Sequence, residues 1–461
     1  MSAALRARMA ATGIGFAGID GAWWLPAVEP FRLPASCASQ LQAIGPALFG
    51  FLDIVAGLYG TDEGAASGLT ALLDYKVPAH IPRIMSTGRV GSLRPDFQLV
   101  LEEDAAGAQQ YRLAATELEI CPSAHGFAHA MQIGYGLDPD LVRAFAGYLA
   151  GRTLLFVGTH QWSEFLLEQL AFCRALAAVG AQGRVLYDRP LRQLAAEVAA
   201  GQRWQPPMFG VQQKTPAWHE SLTNRPSWPD LAPFVYTPDE QWPDSVGDAV
   251  VFRFGYFDCF APEHLAYFPR WQAQGATLLN PAQFILDSKV VMAALQLPLV
   301  RQRIAHQNAA ALPVLDRCLP ETILLTPETA PRILADKDRW VVKFAGYDSG
   351  QQAWGGRSLQ IGPQHTTASW QAALQSYLQL PWPVVAQRLM PSVQVDIAYL
   401  DSRAQVQWLG KGHTRLRVFF LRHADRTTAA GAHLTVSGGT QQVSEATDAV
   451  QAPVVFTSAD D

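Results

Sequence analysis

Two charged fragments, far apart in the chain, limit the folds that this sequence can adopt. Near the start, Arg94-Pro-Asp96 and Glu117-Leu-Glu119 supply one guanidinium and three carboxylates. Near the end, Lys343 follows an apolar run and precedes Gly346 and Gly350. Carboxylate oxygens bind Mg²⁺, whereas a lysine beside a glycine-bearing loop binds phosphates. A fold that joins both fragments would therefore suit phosphoryl transfer from ATP.

The acidic fragment is predicted to form a β-hairpin. Residues 96–101 and 111–120 have the composition of strands, with a turn between them. Pairing would bring Asp96 toward Glu117 and Glu119, and the spacing of two places both glutamates on one face. Three like charges on neighbouring strands repel one another unless a cation lies between them, which favours a Mg²⁺ site. The alternative is a solvated hairpin face that forms an ion pair with the nearby arginine.

The middle of the chain is predicted to be a parallel α/β unit. A strand at 153–158, a helix at 163–179 and a strand at 183–188 follow one another, and a further strand is expected at 250–256. Residues 202–243 contain eight prolines and four tryptophans without a clear period. They are expected to form a long, partly packed excursion.

The last part of the chain is predicted to be α+β. Helices are expected at 282–295 and 298–307, followed by strands around Thr322, Trp340 and Val384. The chain is accordingly divided into an N-terminal region with the hairpin (1–150), an α/β domain with the proline-rich excursion (151–275), and nucleotide-binding lobes (276–461).

Composition narrows the class of protein. With 461 residues, 49% hydrophobic and 16% charged, the chain is expected to be ordered and to fold in several lobes. The net charge of −5 and the lack of basic runs predict no nucleic-acid partner. No uninterrupted apolar stretch predicts a membrane span, and residues 40–60 are expected to form a helix interrupted at Pro46. Five scattered cysteines indicate reduced thiols in the cytoplasm.

Other polar residues have two interpretations each. Lys289 belongs to an amphipathic helix, where a lysine usually faces solvent. Gln387 ends an apolar strand whose exit could meet an adenine edge or simply enter a loop. Arg415 and Arg417 share one face of a strand, which suits an anion or a solvated surface.

Cys121, His125 and His129 have part of the spacing of a zinc site. Pro122, Gly126 and the absence of a clear fourth ligand argue against zinc.

Taken in order, these motifs resemble those of one enzyme family. The sequence contains Arg-x-Asp, Glu-x-Glu, Asn-Pro before Lys289, Val-Val-Lys343 before a glycine loop, and Val-Val-Ala-Gln387. This order is similar to that of the glutathionylspermidine synthetase branch of the ATP-grasp superfamily. The similarity covers the ligase part, roughly residues 90–460, and not the amidase domain of some members. It implies a multidomain α/β and α+β fold, in which a preATP-grasp α/β domain precedes an ATP-grasp nucleotide clamp.

The resemblance also implies roles for individual residues. It places Arg94 at the reacting carboxyl group, Asp96, Glu117 and Glu119 on Mg²⁺, Lys289 and Lys343 on phosphates, Gly346 and Gly350 in the loop over them, and Gln387, Arg388 and Leu389 at adenine. Two departures stand out. Glu119 replaces an asparagine of the family, and Tyr347-Asp348 replaces a basic residue. Arg357, Arg415 and Arg417 are candidates for the missing positive charge.

The implied activity is that of an ATP-dependent carboxylate–amine ligase, with ATP and Mg²⁺ as cofactors. A small peptide or amino-acid-like acid would form an acyl phosphate, which an amine would then attack to give an amide. The loop at 344–358 is the candidate lid. A phosphotransferase on the same scaffold and a non-catalytic nucleotide-binding protein are the alternatives. Residues 1–90 and 202–243 have no assigned role.

Overall fold

The chain folds as a mixed α/β protein with three β-sheets in its described part. The computed structural model describes residues 2–12, 24–103, 107–159, 165–189, 232–236, 242–345, 358–401, 403–438 and 449–457. The mixed α/β class predicted from the sequence is confirmed.

The strands are β1 (Trp24–Pro26), β2 (Phe31–Leu33), β3 (Ser92–Glu103), β4 (Gln109–Glu119), β5 (Thr153–Gly158), β6 (Gln182–Tyr187), β7 (Val250–Phe254), β8 (Thr277–Leu278), β9 (Thr322–Leu324), β10 (Trp340–Phe344), β11 (Gln360–Ile361), β12 (Val384–Arg388), β13 (Gln394–Leu400), β14 (Val406–His423), β15 (Arg426–Ser437) and β16 (Ala449–Phe456). The α-helices are α1 (Ser2–Ala11), α2 (Ala35–Leu58), α3 (Asp62–Ala66), α4 (Leu69–Leu73), α5 (His125–Gly134), α6 (Asp140–Leu149), α7 (Leu166–Ala178), α8 (Pro262–Leu265), α9 (Tyr267–Ala273), α10 (Phe284–Asp287), α11 (Pro298–Gln307), α12 (Ala311–Cys318), α13 (Ala330–Ala335) and α14 (Thr367–Leu378). Short 3₁₀ helices cover Ala232–Phe234, Phe257–Cys259, Lys289–Gln296, Lys337–Arg339 and Gly362–Gln364.

The largest sheet joins the two ends of the chain. Its strand order is β1-β16-β15-β14-β3-β4, with β13 paired to β14 and β2 paired to β16. The hairpin β3–β4, which the sequence assigns to the N-terminal region, therefore shares a sheet with strands assigned to the nucleotide-binding lobes. Strand β14 lies directly beside β3 and pairs with it in antiparallel orientation.

This sheet has one apolar face and one polar face. On β14 and β15, Leu416 and Leu434 belong to the core that includes α2, whereas the alternate positions Arg417 and His433 point away from that core. Successive side chains of a strand point to opposite faces, so the alternation of these residues separates the two environments. The apolar face carries the packing and the polar face carries the charged motifs.

Helix α2 covers the apolar face. We expected a break at Pro46, but the helix is continuous from Ala35 to Leu58. Proline removes one helical hydrogen bond, and twelve buried residues distributed along α2 stabilise the helix on both sides of that position. The helix is also long and apolar enough to cross a membrane by length and composition alone. Its burial against the sheet is a sufficient reason for that composition.

The parallel α/β unit is confirmed. Strands β6, β5, β7 and β8 form a sheet in that order, and all neighbouring strands in it are parallel. Helix α7 connects β5 to β6. The predicted helix start at residue 163 and most of the excursion at 202–243 lie outside the described residues.

The last lobe contains an antiparallel sheet with the order β11-β10-β12-β9. The strands expected around Thr322, Trp340 and Val384 are present, and so is the helix Pro298–Gln307. The prediction of a single helix at 282–295 is wrong. Helix α10 ends at Asp287, and a separate 3₁₀ helix begins at Lys289. Ser288 between them is in an extended conformation and caps the 3₁₀ helix.

The contact between α2 and the sheet depends on Gly45. A Cβ atom at this position would lie 2.7 Å from Phe420 Cδ1 and 2.7 Å from Thr427 Cγ2, whereas one at Gly50 of the same helix would contact nothing within 4 Å. Gly45→Ala should therefore lower the thermal unfolding midpoint, because overpacking costs about 1–3 kcal/mol. Gly50→Ala should raise it, because alanine favours a helix by roughly 0.5–1 kcal/mol over glycine. Equal shifts in a circular dichroism melt would contradict this packing.

Candidate active site

The hairpin β3–β4 places its charged motifs side by side. Arg94 is opposite Glu119, and Asp96 is opposite Glu117, with a register shift immediately after Asp96. On the other side of β3, Arg417 is opposite Asp96. The predicted pairing of the hairpin is confirmed, and a third strand adds its own charges to the same face.

Two lysines from the last lobe reach this hairpin. Lys289 Nζ lies 2.5 Å from Glu117 Oε1, and its side chain is only 10% exposed. Lys343 Nζ donates a hydrogen bond of 2.7 Å to the carbonyl oxygen of Thr116. The interpretation of Lys289 as a solvent-facing helical residue is therefore wrong. The lysine is at the start of a 3₁₀ helix that Ser288 caps, and its side chain reaches the hairpin.

The two lysines are held near each other by Ser288. Its hydroxyl group accepts from Val290 N and donates to the carbonyl oxygen of Ala345, two residues after Lys343. This contact ties the 3₁₀ helix to the end of β10. The positions of Lys289 and Lys343 are therefore coupled through the chain segments that carry them.

A buried ion pair anchors the segment before Lys289. Arg253 of β7 is fully buried, and its Nη2 lies 2.7 Å from Asp287 Oδ1. Asp287 also accepts from Phe257 N. Breaking a buried pair by removing one partner typically costs 3–5 kcal/mol. The parallel α/β unit thus determines where the segment that carries Lys289 lies.

Asp96 lies among three arginines. Its carboxylate oxygens are 3.5 Å from Arg94 Nε, 3.4 Å from Arg415 Nη1 and 3.3 Å from Arg417 Nε. Burial would raise the pKa of Asp96, but the charges of Arg417, Arg415 and Arg94 outweigh it and hold that pKa well below its usual range. The side chain of Asp96 is thus neutralised by guanidinium groups within the described structure.

The two glutamates of β4 have opposite pKa shifts. Burial would raise the pKa of Glu117, but Lys289 and Lys343 outweigh it and lower that pKa. Burial and then the charge of Glu117 raise the pKa of Glu119 to about 8. The Tyr256 hydroxyl lies 3.3 Å from Glu119 Oε1. A negative charge on Glu119 would therefore lack full compensation, and the neutral form is favoured.

The pKa of Lys343 is shifted in the opposite direction to that of Glu119, so its charged form is also disfavoured. Burial lowers its pKa to about 8, and Lys289 adds to this effect while Glu117 acts against it. A lysine and a carboxyl group that both titrate near neutral pH are typical of functional sites.

The carboxylates fit Mg²⁺ in part. No group of three or more Asp, Glu, His or Cys side chains within the described residues could hold a metal ion, so Asp96, Glu117 and Glu119 do not form a preformed three-carboxylate cluster. The reason is that Asp96 faces the arginines. Mg²⁺ usually takes one or two protein carboxylates and completes its shell with water and substrate phosphates. Glu117 and Glu119 meet that requirement, since a nearby dication would compensate the charge of Glu119.

Strand β12 presents its predicted adenine residues on two faces. Gln387 is buried on the same face as Lys343, because Lys343 is opposite Val385 of β12. Its amide nitrogen donates to Thr322 Oγ1. Arg388 is on the opposite face, where its guanidinium lies 4.2 Å from the Trp340 ring centroid and pairs with acidic residues. An adenine contact from Arg388 would therefore have to use its backbone.

Leu389 and Arg94 form hydrogen bonds to backbone carbonyl oxygens, whereas most of the loop candidates are not described. Leu389 N donates to the Arg339 carbonyl oxygen. Arg94 is buried and donates from Nη1 to the carbonyl oxygen of Ser123, 2.7 Å away. The candidates Gly346, Gly350 and Arg357, and almost all of the loop proposed as a lid, lie outside the described residues. His125 is buried among five aromatic rings, in a hydrophobic environment.

Three contributors to the site were missed in the sequence. Tyr256 follows β7 at the carboxyl end of a parallel sheet, which is where such sheets usually carry binding residues. The position of Tyr256 at the end of a predicted parallel strand could therefore have identified it as a site residue. Ser288 and Asp287 directly precede Lys289 in the sequence, but their contacts are with residues distant in the chain, and no local pattern indicates them.

A solved structure resembles this chain over most of its length, whereas sequence comparison finds no match. No protein-family model matches the chain, and no curated protein matches it. Among solved structures, a glutathione synthetase-like effector from Globodera pallida, in its apo form, is similar over 94% of this chain and 90% of that chain, with a TM-score of 0.46 and 11% sequence identity. A likeness of this degree does not establish a shared activity, so the function has to be inferred from the side chains of the site.

Stability should depend on pH through Glu119. The folded protein keeps this proton up to about pH 8, whereas an unfolded glutamate loses it near 4.5. The folded state binds more protons in this window, so its stability falls as pH rises through it. Glu119→Gln removes the titrating group and should flatten the fall between about pH 5 and pH 8.

Urea denaturation at several pH values measures this effect. Glu103→Gln, at an exposed position of the same hairpin, is the control and should follow the wild type. A Glu119→Gln protein whose stability falls as steeply as that of the wild type would show that Glu119 is not protonated in the folded state.

Proposed function

We propose that this protein is an ATP-dependent carboxylate–amine ligase that forms an amide bond through an acyl phosphate. The observation that carries the proposal is the meeting of the early hairpin with the late lysines. Glu117 pairs with Lys289, and Lys343 bonds to the backbone of the same strand. This arrangement combines carboxylates for a nucleotide-bound cation with cations for phosphates in one place.

The lysines are suited to the phosphates of ATP. Lys343 is destabilised as a cation by burial, so a polyphosphate beside it would supply the missing negative charge. Lys289 is paired with Glu117. We propose that both side chains bind phosphate oxygens when ATP is present, and that Gln387, on the same face as Lys343, lies toward adenine.

Glu117 and Glu119 are the proposed Mg²⁺ ligands. When bound, Mg²⁺ would neutralise charge on the phosphate oxygens during transfer. The protein's own part is to hold two carboxylates on one face of β4. Asp96, which is surrounded by arginines, is better suited to orient Arg94, Arg415 and Arg417 than to bind the metal.

The arginines would bind the acid substrate. A carboxylate that attacks the γ-phosphate must be held close to the phosphate, and guanidinium groups bind carboxylates in a defined geometry. Arg94 and Arg417 flank Asp96 on the polar face, next to Glu117 and Glu119. Partial release of these arginines from Asp96 on substrate binding is part of the proposal.

Replacement of Lys343 tests the nucleotide assignment. With Mg²⁺, ATP, hydroxylamine and a panel of small peptide and amino-acid-like acids, the wild type should release ADP and form a hydroxamate, because hydroxylamine traps acyl phosphates. Lys343→Met should reduce both by at least about a hundredfold, as expected for loss of a charged contact to the transferring group.

The control is Lys411→Met, at an exposed position of β14, which should behave as the wild type. A folded Lys343→Met protein with unchanged turnover would refute the assignment. A phosphorylated acid that hydroxylamine does not trap would indicate a phosphotransferase, and metal-dependent ATP binding without turnover would indicate a non-catalytic protein.

Binding of Mg²⁺ with a nucleotide should release a proton. Glu119 is protonated at pH 7 in the free protein, because its pKa is raised to about 8. A dication between Glu117 and Glu119 would lower that pKa and expel the proton. Calorimetric titration of Mg²⁺–ADP in two buffers of different ionisation enthalpy measures the release.

Glu119→Gln is the comparison protein for this titration. It should bind Mg²⁺–ADP without the buffer-dependent heat. Identical buffer dependence in both proteins would place the metal elsewhere.

A further inference from the structure

The polar face of the large sheet continues beyond the arginines. On β15, His433 is opposite Arg417, and Thr435 is opposite both Arg415 and Gln451 of β16. These side chains are buried, with exposures of 1% for His433, 0% for Thr435 and 0% for Gln451. A buried row of polar groups thus extends the charged site across two more strands, and the roles proposed above do not use it.

A directed chain of hydrogen bonds orients the amide group of Gln451. Arg417 Nη1 donates to Thr435 Oγ1 at 3.2 Å, and Thr435 Oγ1 donates to Gln451 Oε1 at 2.9 Å. Because the oxygen of the amide group is used in this contact, its NH₂ group is the part left to bind something else. Gln451 Nε2 has no hydrogen-bond partner among the described residues.

Within the described structure, His433 Nε2 lacks a hydrogen-bond donor, whereas Gln451 Nε2 lacks an acceptor. Its Nδ1 lies 3.1 Å from the Gly431 carbonyl oxygen, which only accepts, so Nδ1 carries the proton. Burial and the charge of Arg417 lower the pKa of His433 to about 3, and the ring is therefore neutral. Nε2 is left as a buried hydrogen-bond acceptor, without a partner in the part of the chain that the structure describes.

The strand register therefore places this donor and this acceptor on one face of two neighbouring strands. Gln451 is opposite Thr435, two residues from His433 on the neighbouring strand, a diagonal relation that places side chains within reach of a common small group. Leaving a buried polar atom unpaired typically costs about 1–3 kcal/mol. The two atoms match a peptide amide group, whose carbonyl oxygen accepts and whose N–H donates.

We propose that His433 and Gln451 form an amide-recognition subsite for the acid substrate. The amide carbonyl oxygen of the substrate would accept from Gln451 Nε2, and its N–H would donate to His433 Nε2. The carboxylate end would lie toward Arg417, Arg94 and Glu117. This inference rests on the proposed ligase function, and it narrows the acid to one that contains a peptide bond.

A matched pair of acids tests the subsite in the wild-type protein. Triglycine and 8-aminooctanoate have the same number of backbone atoms and the same charged ends, but only triglycine contains amides. Calorimetric titration with Mg²⁺–ADP present should show triglycine binding at least roughly tenfold more tightly, as expected when two buried hydrogen bonds are made. Equal affinity, or no binding of triglycine, would overturn the proposal.

Gln451→Met provides the second measurement. It keeps the length of the side chain and removes the amide donor, so it should weaken triglycine binding by about tenfold and leave the affinities for 8-aminooctanoate and Mg²⁺–ADP unchanged. A structural change in the sheet would alter all three affinities. If a folded Gln451→Met protein keeps the full preference for triglycine, or if ordered water alone satisfies Gln451 and His433 and no preference exists, the subsite is refuted.

Hydroxamate formation with triglycine separates this inference from the ligase proposal. Amide-dependent binding that Gln451→Met abolishes, without hydroxamate from any acid, would support the subsite and reject the ligase. Hydroxamate from triglycine and 8-aminooctanoate at equal kcat/KM would support the ligase and reject the subsite. With both proposals correct, kcat/KM should be roughly tenfold higher for triglycine, and Gln451→Met should remove that difference.

Discussion

The pairing of Glu117 with cations from a distant lobe is the interaction on which the site depends. Lys289 is only 10% exposed, and an isolated charge at that level of burial is costly unless it is paired. Lys343 reaches the same strand through the Thr116 carbonyl oxygen. These contacts join the hairpin to the last lobe, and in the proposed function they also assemble the charges that a nucleotide and its metal need. In the proposed function, ATP phosphates replace Glu117 at Lys289 and the Thr116 carbonyl oxygen at Lys343.

The two-faced sheet separates the apolar groups that stabilise the fold from the charged groups of the candidate site. Its apolar face packs on α2 through residues such as Leu416 and Leu434, and its polar face carries the arginines, the glutamates and His433. Polar groups are expensive to bury unless they are paired. The polar face is buried, and the pKa of Glu119 on this face is raised. Buried groups with shifted pKa values are expected where folding stability is given up for binding.

The sequence predicts the parts of this site that follow from local periodicity. The spacing of Glu117 and Glu119 places them on one face, the alternation of Arg415 and Arg417 does the same, and the α/β unit follows from its strand–helix–strand pattern. Contacts that depend on strand order could not be predicted. The neighbours of Asp96 are known only once β14 is seen beside β3.

The prediction for Lys289 failed for a different reason. Its apolar neighbours have helical spacing, but that spacing does not distinguish one long helix from two short ones separated by Ser288. The break turns Lys289 toward the hairpin. The relation of Gln451 to His433 has no sequence signal either, because it depends on the register of β16 against β15.

The proposed nucleotide site is best tested by a crystal structure of the protein with Mg²⁺ and a non-hydrolysable ATP analogue. Phosphates should lie between Lys289 and Lys343, with the metal bound by Glu117 and Glu119 and the pairing of Lys289 with Glu117 loosened. A nucleotide bound away from the polar face, or a polar face that stays closed by its own ion pairs at saturating nucleotide, would contradict it.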